Sequence, residues 1–281
     1  METRRIAARN VLLGRGELLH NGVVTIAQDG TVVAIENITD EQAKREGVEL
    51  HEGFLCAGFV NAHTHSELAF LDGLFLPGGS MAAFLRQIDA LRVQFDPDTI
   101  RAAQAKGYET FAKEGIVAYA DISNDASTAY FKKNETFRSV SFVEMFGVNA
   151  TLGEAAYKVG EEVLATYRAQ GVQAYMTPHA TYSVSDRLWK LMQAQLEASP
   201  IFSLHYAETS QEIDFLERKA GAIYDLFHRD WGRAVEAYGL KDMESTLAYY
   251  GGLGKHILLV HCVALSPAML DFVKASCPQV T

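Results

Sequence analysis

Gly58-Phe59-Val60-Asn61-Ala62-His63-Thr64-His65 is the stretch on which the fold turns. An apolar run, Leu55–Asn61, hands over to two histidines spaced i, i+2. In an extended chain residues i and i+2 point to the same face, so both imidazoles can be aimed at one point. Two ligands on one ion require that arrangement. Taken alone, H-x-H fits two polar loop residues equally well, and the surrounding chain has to decide.

Downstream of this stretch the pattern is regular. Short apolar runs at Gly115–Asp121, Val140–Phe146, Val172–Thr177, Ile201–Leu204 and His256–Val260 alternate with amphipathic segments. A seventh run, Val280-Thr281, is just beginning at the last residue. The segments between carry helix punctuation. Thr99–Lys113 is followed by Gly115, and Glu154–Gln170 by Gly171. Asp186–Ala198 follows Ser183 and Ser185, either able to cap, and Ser266-Pro267 opens the last helix with an N-cap and a first-turn proline. Strands alternating with helices imply a parallel sheet. Six units with a seventh starting favour a (β/α)8 TIM barrel, and no G-x-G-x-x-G follows a strand to favour a dinucleotide fold.

Upstream the pattern differs. Val23–Gln28 and Thr31–Ile35 are β-branched runs joined by Asp29-Gly30, a strong hairpin signal. Residues 1–56 therefore read as a small antiparallel β unit, and residues 57–281 as the barrel.

The bulk numbers exclude several classes. The 281 residues can bury a sizeable core, and 48% hydrophobic with 21% charged content is ordinary for a globular chain. A net charge of -10 argues against a nucleic-acid binder. Cys56, Cys262 and Cys277 have no C-x-x-C spacing, so neither a disulfide framework nor a zinc ribbon is expected. No apolar run suits a membrane span and the N-terminus lacks a signal-peptide core, so the expected location is cytoplasmic. The expected partner is a small-molecule substrate, with no nucleic acid and no membrane; a homo-oligomer is left open.

Of nine histidines, five fall at or just past the ends of the apolar runs: His63, His65, His179, His205 and His261. In a parallel barrel those ends share one mouth, where active sites sit. His20, His51, His228 and His256 do not fit that placement. Ile201–Leu204 delivers His205, with Glu208 three residues on; Ile257–Val260 delivers His261; Val172–Thr177 leads to Pro178-His179. Any one of these is unremarkable, but the coincidence of all of them points to a metal-assisted hydrolase. His63, His65 and His205 are the expected ligands. A divalent ion on neutral imidazoles acidifies water. Glu208 would carry its proton to a leaving nitrogen. His261 would stabilise charge developing on the attacking oxygen. Glu67, in His65-Ser66-Glu67-Leu68, is expected to contact substrate, whereas Asp121 and Glu144 are expected to be structural.

These motifs together resemble the amidohydrolase superfamily, in its branch of aminohydrolases acting on nucleobases, adenosine-derived nucleosides and triazines. In that branch H-x-H comes from the first barrel strand, a third histidine with H-x-x-E from the fifth, and a histidine near the attacking water from the sixth. Those positions match His63, His65, His205, Glu208 and His261. Pro178-His179-Ala180-Thr181-Tyr182-Ser183 resembles the segment that gives methylthioadenosine and S-adenosylhomocysteine deaminases a substrate-contacting histidine, which makes His179 the expected counterpart. The H-x-H-x-E-L wording leans toward aminodeoxyfutalosine as substrate. The resemblance implies a small β-sandwich portion before the barrel. With no lysine ending the fourth strand, it implies one divalent metal, zinc first and iron second.

The family's eighth strand supplies a further metal ligand, an aspartate. On this reading strands seven and eight lie beyond Thr281 and the chain is a fragment of a longer protein. The leading expectation is hydrolytic deamination of an aminopurine nucleoside. The alternatives are guanine deaminase, triazine chlorohydrolase or cyclic-amide hydrolase, and an inactive truncated scaffold.

Overall fold

The computed structural model describes residues 3–76, 78–133, 137–235, 242–252, 254–277 and 281. The chain divides into two compact units, Met1–Phe59 and Val60–Thr281.

In the first unit, β1 (Thr3–Leu12), β2 (Leu18–Ala27), β3 (Val32–Asn37) and β4 (Glu49–Leu55) form one sheet in the order β3-β2-β1-β4. The Asp29-Gly30 hairpin forms as expected: Gly30 N donates to Ala27 O, and Thr31 N to the Asp29 side chain. The sheet is not wholly antiparallel, because β4 runs parallel to β1. A parallel partner needs a crossover, and α1 (Asp40–Glu46) supplies it. Thr39 and Gln42 cap that helix reciprocally, an arrangement that satisfies two of its orphan backbone donors. Ala7, Val23, Ile38 and Ala43 form the core on one side, and Ala8, Val11 and Val24 on the other.

The second unit alternates strand and helix. Its strands are β5 (Phe59–Thr64), β6 (Ile116–Ser123), β7 (Arg138–Met145), β8 (Ala174–Pro178), β9 (Ile201–Tyr206) and β10 (His256–His261). Its helices are α2 (Met81–Leu91), α3 (Pro97–Lys113), α4 (Ala129–Lys132), α5 (Ala150–Ala169), α6 (Asp186–Ala198), α7 (Ser210–Arg218), α8 (Ala222–Asp225), α9 (Met243–Gly251) and α10 (Pro267–Ser276). The expected punctuation is present. Asp96 caps α3 ahead of Pro97, Ser185 caps α6, and Ser266 caps α10. Gly115 and Gly171, after α3 and α5, take left-handed φ of 73° and 76°, a region glycine enters without a Cβ penalty.

Strands β5-β6-β7-β8 make one sheet and β9-β10 another, with the ladders β6/β7, β7/β8 and β9/β10 all parallel. At the join a side chain replaces part of the ladder. Thr177 Oγ1 donates to Ser203 O and accepts from Ser203 N, and His205 N then donates to His179 O at 2.9 Å. The six strands thus follow one another side by side in barrel order, and among the described residues they do not close on themselves. Thr281 N donates to Ile257 O, and Leu259 N to Thr281 O, the spacing of a further parallel strand beside β10. Val280 lies outside the described residues.

The main core lies between sheet and helices. Phe202, Leu204 and Tyr206 of β9 and Val143 of β7 pack with Leu188, Met192 and Leu196 of α6 and with Leu164 and Tyr167 of α5. This fixes the strand ends on which the histidines stand. Among the described residues no helix is long and apolar enough to cross a membrane.

Candidate active site

His63 is the penultimate residue of β5 and His65 follows the strand; His205 is the fifth residue of β9, His261 the last of β10, and His179 follows β8. All five converge. The His63 ring centroid lies 5.0 Å from that of His65, 4.8 Å from His205 and 5.7 Å from His261. His179 lies 4.9 Å from His205. Ligand atoms of His63, His205 and His261 lie within 4.8 Å of one another, and so do those of Glu144, His179 and His205.

Burial sets the chemistry of this cluster. It holds His63, His179 and His205 at a pKa of about 3, with neighbouring imidazoles adding to the effect. Burial, then His65, also lowers His261. Desolvation disfavours the imidazolium, so these rings are neutral at physiological pH and keep a lone pair for a cation. His205 Nδ1 lies 2.9 Å from His179 O and 3.5 Å from Glu144 Oε1. A carbonyl only accepts, so that nitrogen carries the proton. His205 Nε2 therefore keeps the lone pair that a cation can use, whereas Nδ1 faces the His179 carbonyl and Glu144. His179 Nδ1 pairs with Ser183 Oγ at 2.7 Å.

Glu208 arrives by a sharp turn. Ala207, between His205 and Glu208, has φ 49°, and this left-handed step redirects the chain as β9 ends. Glu208 Oε1 lies 3.4 Å from His261 Nε2. Burial first and Glu144 second push its pKa up to about 7. A carboxyl poised near neutrality can both accept and release a proton. The β10 end is strained too, with φ 75° at His261 and 55° at Cys262. Cys262 N donates to Tyr206 O and holds that turn beside β9.

A cavity of about 520 Å³ opens onto the cluster, lined by His63, His65, Glu144, His179, His205, Glu208 and His261. Glu67, expected to contact substrate, does not line it. Glu67 is only 3% exposed, and Asn124 donates to its Oε1 at 3.0 Å. Asp121 is structural: it forms a wholly buried ion pair with Lys132 at 2.5 Å and accepts from Ser66 N and Oγ. Glu144, also expected to be structural, does line the cavity, and its Oε1 has no hydrogen-bond partner. The opposite wall escaped the sequence reading. It is α2, which presents Met81, Phe84, Leu85 and Ile88 at i, i+3, i+4, i+7 spacing, a stripe that could have been found.

The sequence profile of the amidohydrolase family matches residues 54–279. The 5-methylthioadenosine/S-adenosylhomocysteine deaminase of Nitratidesulfovibrio vulgaris is 26% identical over 211 residues, which is 69% of this chain and 46% of that protein. The same-named Bacillus cytotoxicus protein is 25% identical over 79% of this chain and 53% of its own length. The chain thus spans about half the length of the curated relatives it matches. Helicobacter pylori aminofutalosine deaminase in complex with methylthio-coformycin has the same fold, with a TM-score of 0.77 at 20% identity over 99% of this chain and 68% of that one. On the profile match and this shared α/β architecture, the chain belongs to the amidohydrolase family.

Proposed function

We propose that the protein is a metal-dependent hydrolase of a carbon–nitrogen bond that releases ammonia from an adenosine-type aminopurine nucleoside. The observation that carries the reading is Glu208, near-neutral in pKa, set 3.4 Å from His261 beside a cluster of uncharged imidazoles. The substrate class rests on the names of the relatives.

The donor set fits a metal. His63 Nδ1 and His65 Nδ1 are buried without a hydrogen-bond partner, and buried polar atoms left unpaired are costly unless something occupies them. His63, His65 and His205 would hold one divalent ion, with zinc preferred to iron on an all-imidazole set. When bound, such an ion supplies the Lewis acidity that makes water reactive near neutral pH. Glu208 takes the proton of the attacking water and passes it to the departing nitrogen. His261 hydrogen-bonds the attacking oxygen, and His179, anchored by Ser183, orients the purine. A cytoplasmic location with free thiols accords with this chemistry.

The test is ammonia release by the full-length, metal-loaded protein from a panel of adenosine thioethers, guanine and a chlorotriazine. Release from the adenosine compounds is expected. Turnover of guanine or the triazine alone would move the reading to those hydrolases. No bound metal in folded protein would leave an inactive scaffold. His63, His205 and His261 also carry ligand atoms within 4.8 Å of one another, so metal content separates two ligand sets: His65→Ala should lose the ion and His261→Ala should keep it.

A further inference from the structure

We propose that Glu212 is a positioning residue for the reaction: its buried side chain ties the turn that presents Glu208 to the loop that presents His179. The inference deepens the deaminase reading and rests on it for the roles of those two residues.

Glu212 is the third residue of α7 and is only 1% exposed. It does not line the histidine cavity. Its two oxygens face two different segments. Oε2 accepts from Glu208 N at 3.0 Å, and Oε1 accepts from Thr181 Oγ1 at 2.6 Å. Glu208 N comes straight after the left-handed step at Ala207, so this bond closes the turn that carries the proton carrier. Thr181 stands two residues beyond His179 and two before Ser183, whose hydroxyl holds the His179 ring. One carboxyl therefore joins the segment after β8 to the segment after β9.

A glutamate in a helix's first turn ordinarily serves the helix. In a capping box the N-cap side chain accepts from the third helical N–H, and the third residue's side chain reaches back to the N-cap N–H. The start of α7 departs from that pattern. Thr209, its N-cap, makes no side-chain cap bond, and its Oγ1 is buried without a partner. Glu212 reaches one residue further back, to Glu208. The bond thus orders the residue ahead of the helix.

Burial first pushes the Glu212 carboxyl up to about 7, and the Thr181 hydrogen bond opposes that rise. The clamp does not depend on the charge. An un-ionised carboxyl still offers an oxygen to Glu208 N. Its proton can go to Thr181 Oγ1, whose own proton can turn to Met243 Sδ at 3.6 Å. An amide presents the same acceptor and donor, so Glu212→Gln keeps both contacts, whereas Glu212→Ala keeps neither.

The test compares these two variants in the full-length, metal-loaded protein. A small misplacement near the chemistry can cost about 100-fold, so Glu212→Ala should lower kcat on the deaminated aminopurine about 10–100-fold, with KM little changed and metal content as in the wild type. The acid limb of its pH profile should move to lower pH, because a loosened turn lets water reach the Glu208 carboxyl that burial holds up. Glu212→Gln should recover most of kcat and keep the limb near the wild-type position. A role confined to helix stability predicts a lower melting temperature and an unmoved limb. Wild-type kcat in Glu212→Ala, a lowered kcat with an unmoved limb, or a Glu212→Gln as poor as the alanine variant overturns the inference. Should Glu212→Ala fail to fold, Thr181→Val takes its place. It removes one contact and keeps the side-chain shape, and an unmoved kcat or limb there is equally fatal. Hydrogen exchange separates the clamp from the deaminase reading. Segments 179–183 and 205–212 should exchange faster in the alanine or valine variant, and α6 should not. A wild type that releases no ammonia from any aminopurine refutes the deaminase reading. Exchange then decides the clamp alone: unchanged rates overturn it, and faster rates confined to those two segments support it.

Discussion

Two polar clusters lie behind and beside β5, and they differ in completeness. Behind it, Lys132 and Asp121 form a wholly buried pair. Lys132 Nζ also donates to Ser123, Ser141 and Tyr167, and Asp121 also accepts from Ser66. Both charges are neutralised within the cluster, and neither residue appears among the buried groups left without a partner. In the cavity, by contrast, His63 Nδ1, His65 Nδ1 and Glu144 Oε1 are buried and unpartnered. A cluster that exists to hold the fold closes on itself. One that exists to hold something else leaves atoms open, because pairing them internally would remove the ligand's place.

The contrast can be broken from either side. The largest effect is expected at Lys132→Met, which strands the Asp121 carboxylate in the interior. Breaking one partner of a buried pair costs about 3–5 kcal/mol, so chemical denaturation should show a loss of that order, or no folded protein. Glu208→Gln should leave the fold intact and lower kcat/KM of the full-length protein about 10²–10⁴-fold, the usual worth of a positioned general acid–base. In the wild type, with Glu208 at about 7, activity should rise with pH through neutrality as the carboxylate forms. The variant should lose that limb.

Glu144→Gln sharpens the comparison at its boundary. Glu144 Oε1 lies 3.5 Å from His205 Nδ1. A carboxylate behind a ligating histidine strengthens the ligand, and its loss typically weakens metal binding about 10–100-fold. Competition with a chelating dye measures that directly, and unaltered affinity would sever Glu144 from the ion. The smallest effect is expected at Glu67→Gln. Burial first and Asp121 second hold the Glu67 carboxyl well above the usual carboxylate range. A raised acid is protonated when folded and ionised when unfolded, so stability is full at low pH. It declines as pH rises from the ordinary glutamate value toward the elevated one. Melting temperature against pH should slope downward there in the wild type and be flatter in the variant.

Much of this was legible in the sequence. A buried parallel strand is a nearly continuous apolar run, so a histidine ending such a run declares its position on the fold. That is why His179, His205 and His261 could be placed from Val172–Thr177, Ile201–Leu204 and Ile257–Val260. The Asp29-Gly30 turn and the caps at Ser185 and Ser266 were legible for the same reason: each is local chemistry. What was not legible is direction and distance. Glu67 stands two residues past His65, but the turn at Ser66–Leu71 rotates it inward toward Asn124. Glu144 and Asp121 both end apolar strands, and only tertiary placement made one a cavity wall and the other a lysine's partner. Arg92 and Arg233 line the same cavity from distant parts of the sequence, and no spacing rule joins them. The helix α1 was overlooked because its seven residues carry too little apolar periodicity to announce it.

The left-handed pair at the end of β10 carries a consequence for how this protein can change. Neither His261 nor Cys262 is a residue type that adopts φ of 75° or 55° without cost. Random substitution at 262 is therefore asymmetric. Glycine or asparagine relaxes the backbone, whereas a β-branched residue tightens it further. A population selected for heat resistance should drift toward the relaxed residues, and one selected for turnover should resist them, since the same relaxation frees the neighbouring imidazole. Position 262 is thus a place where endurance and turnover draw on the same few degrees of rotation.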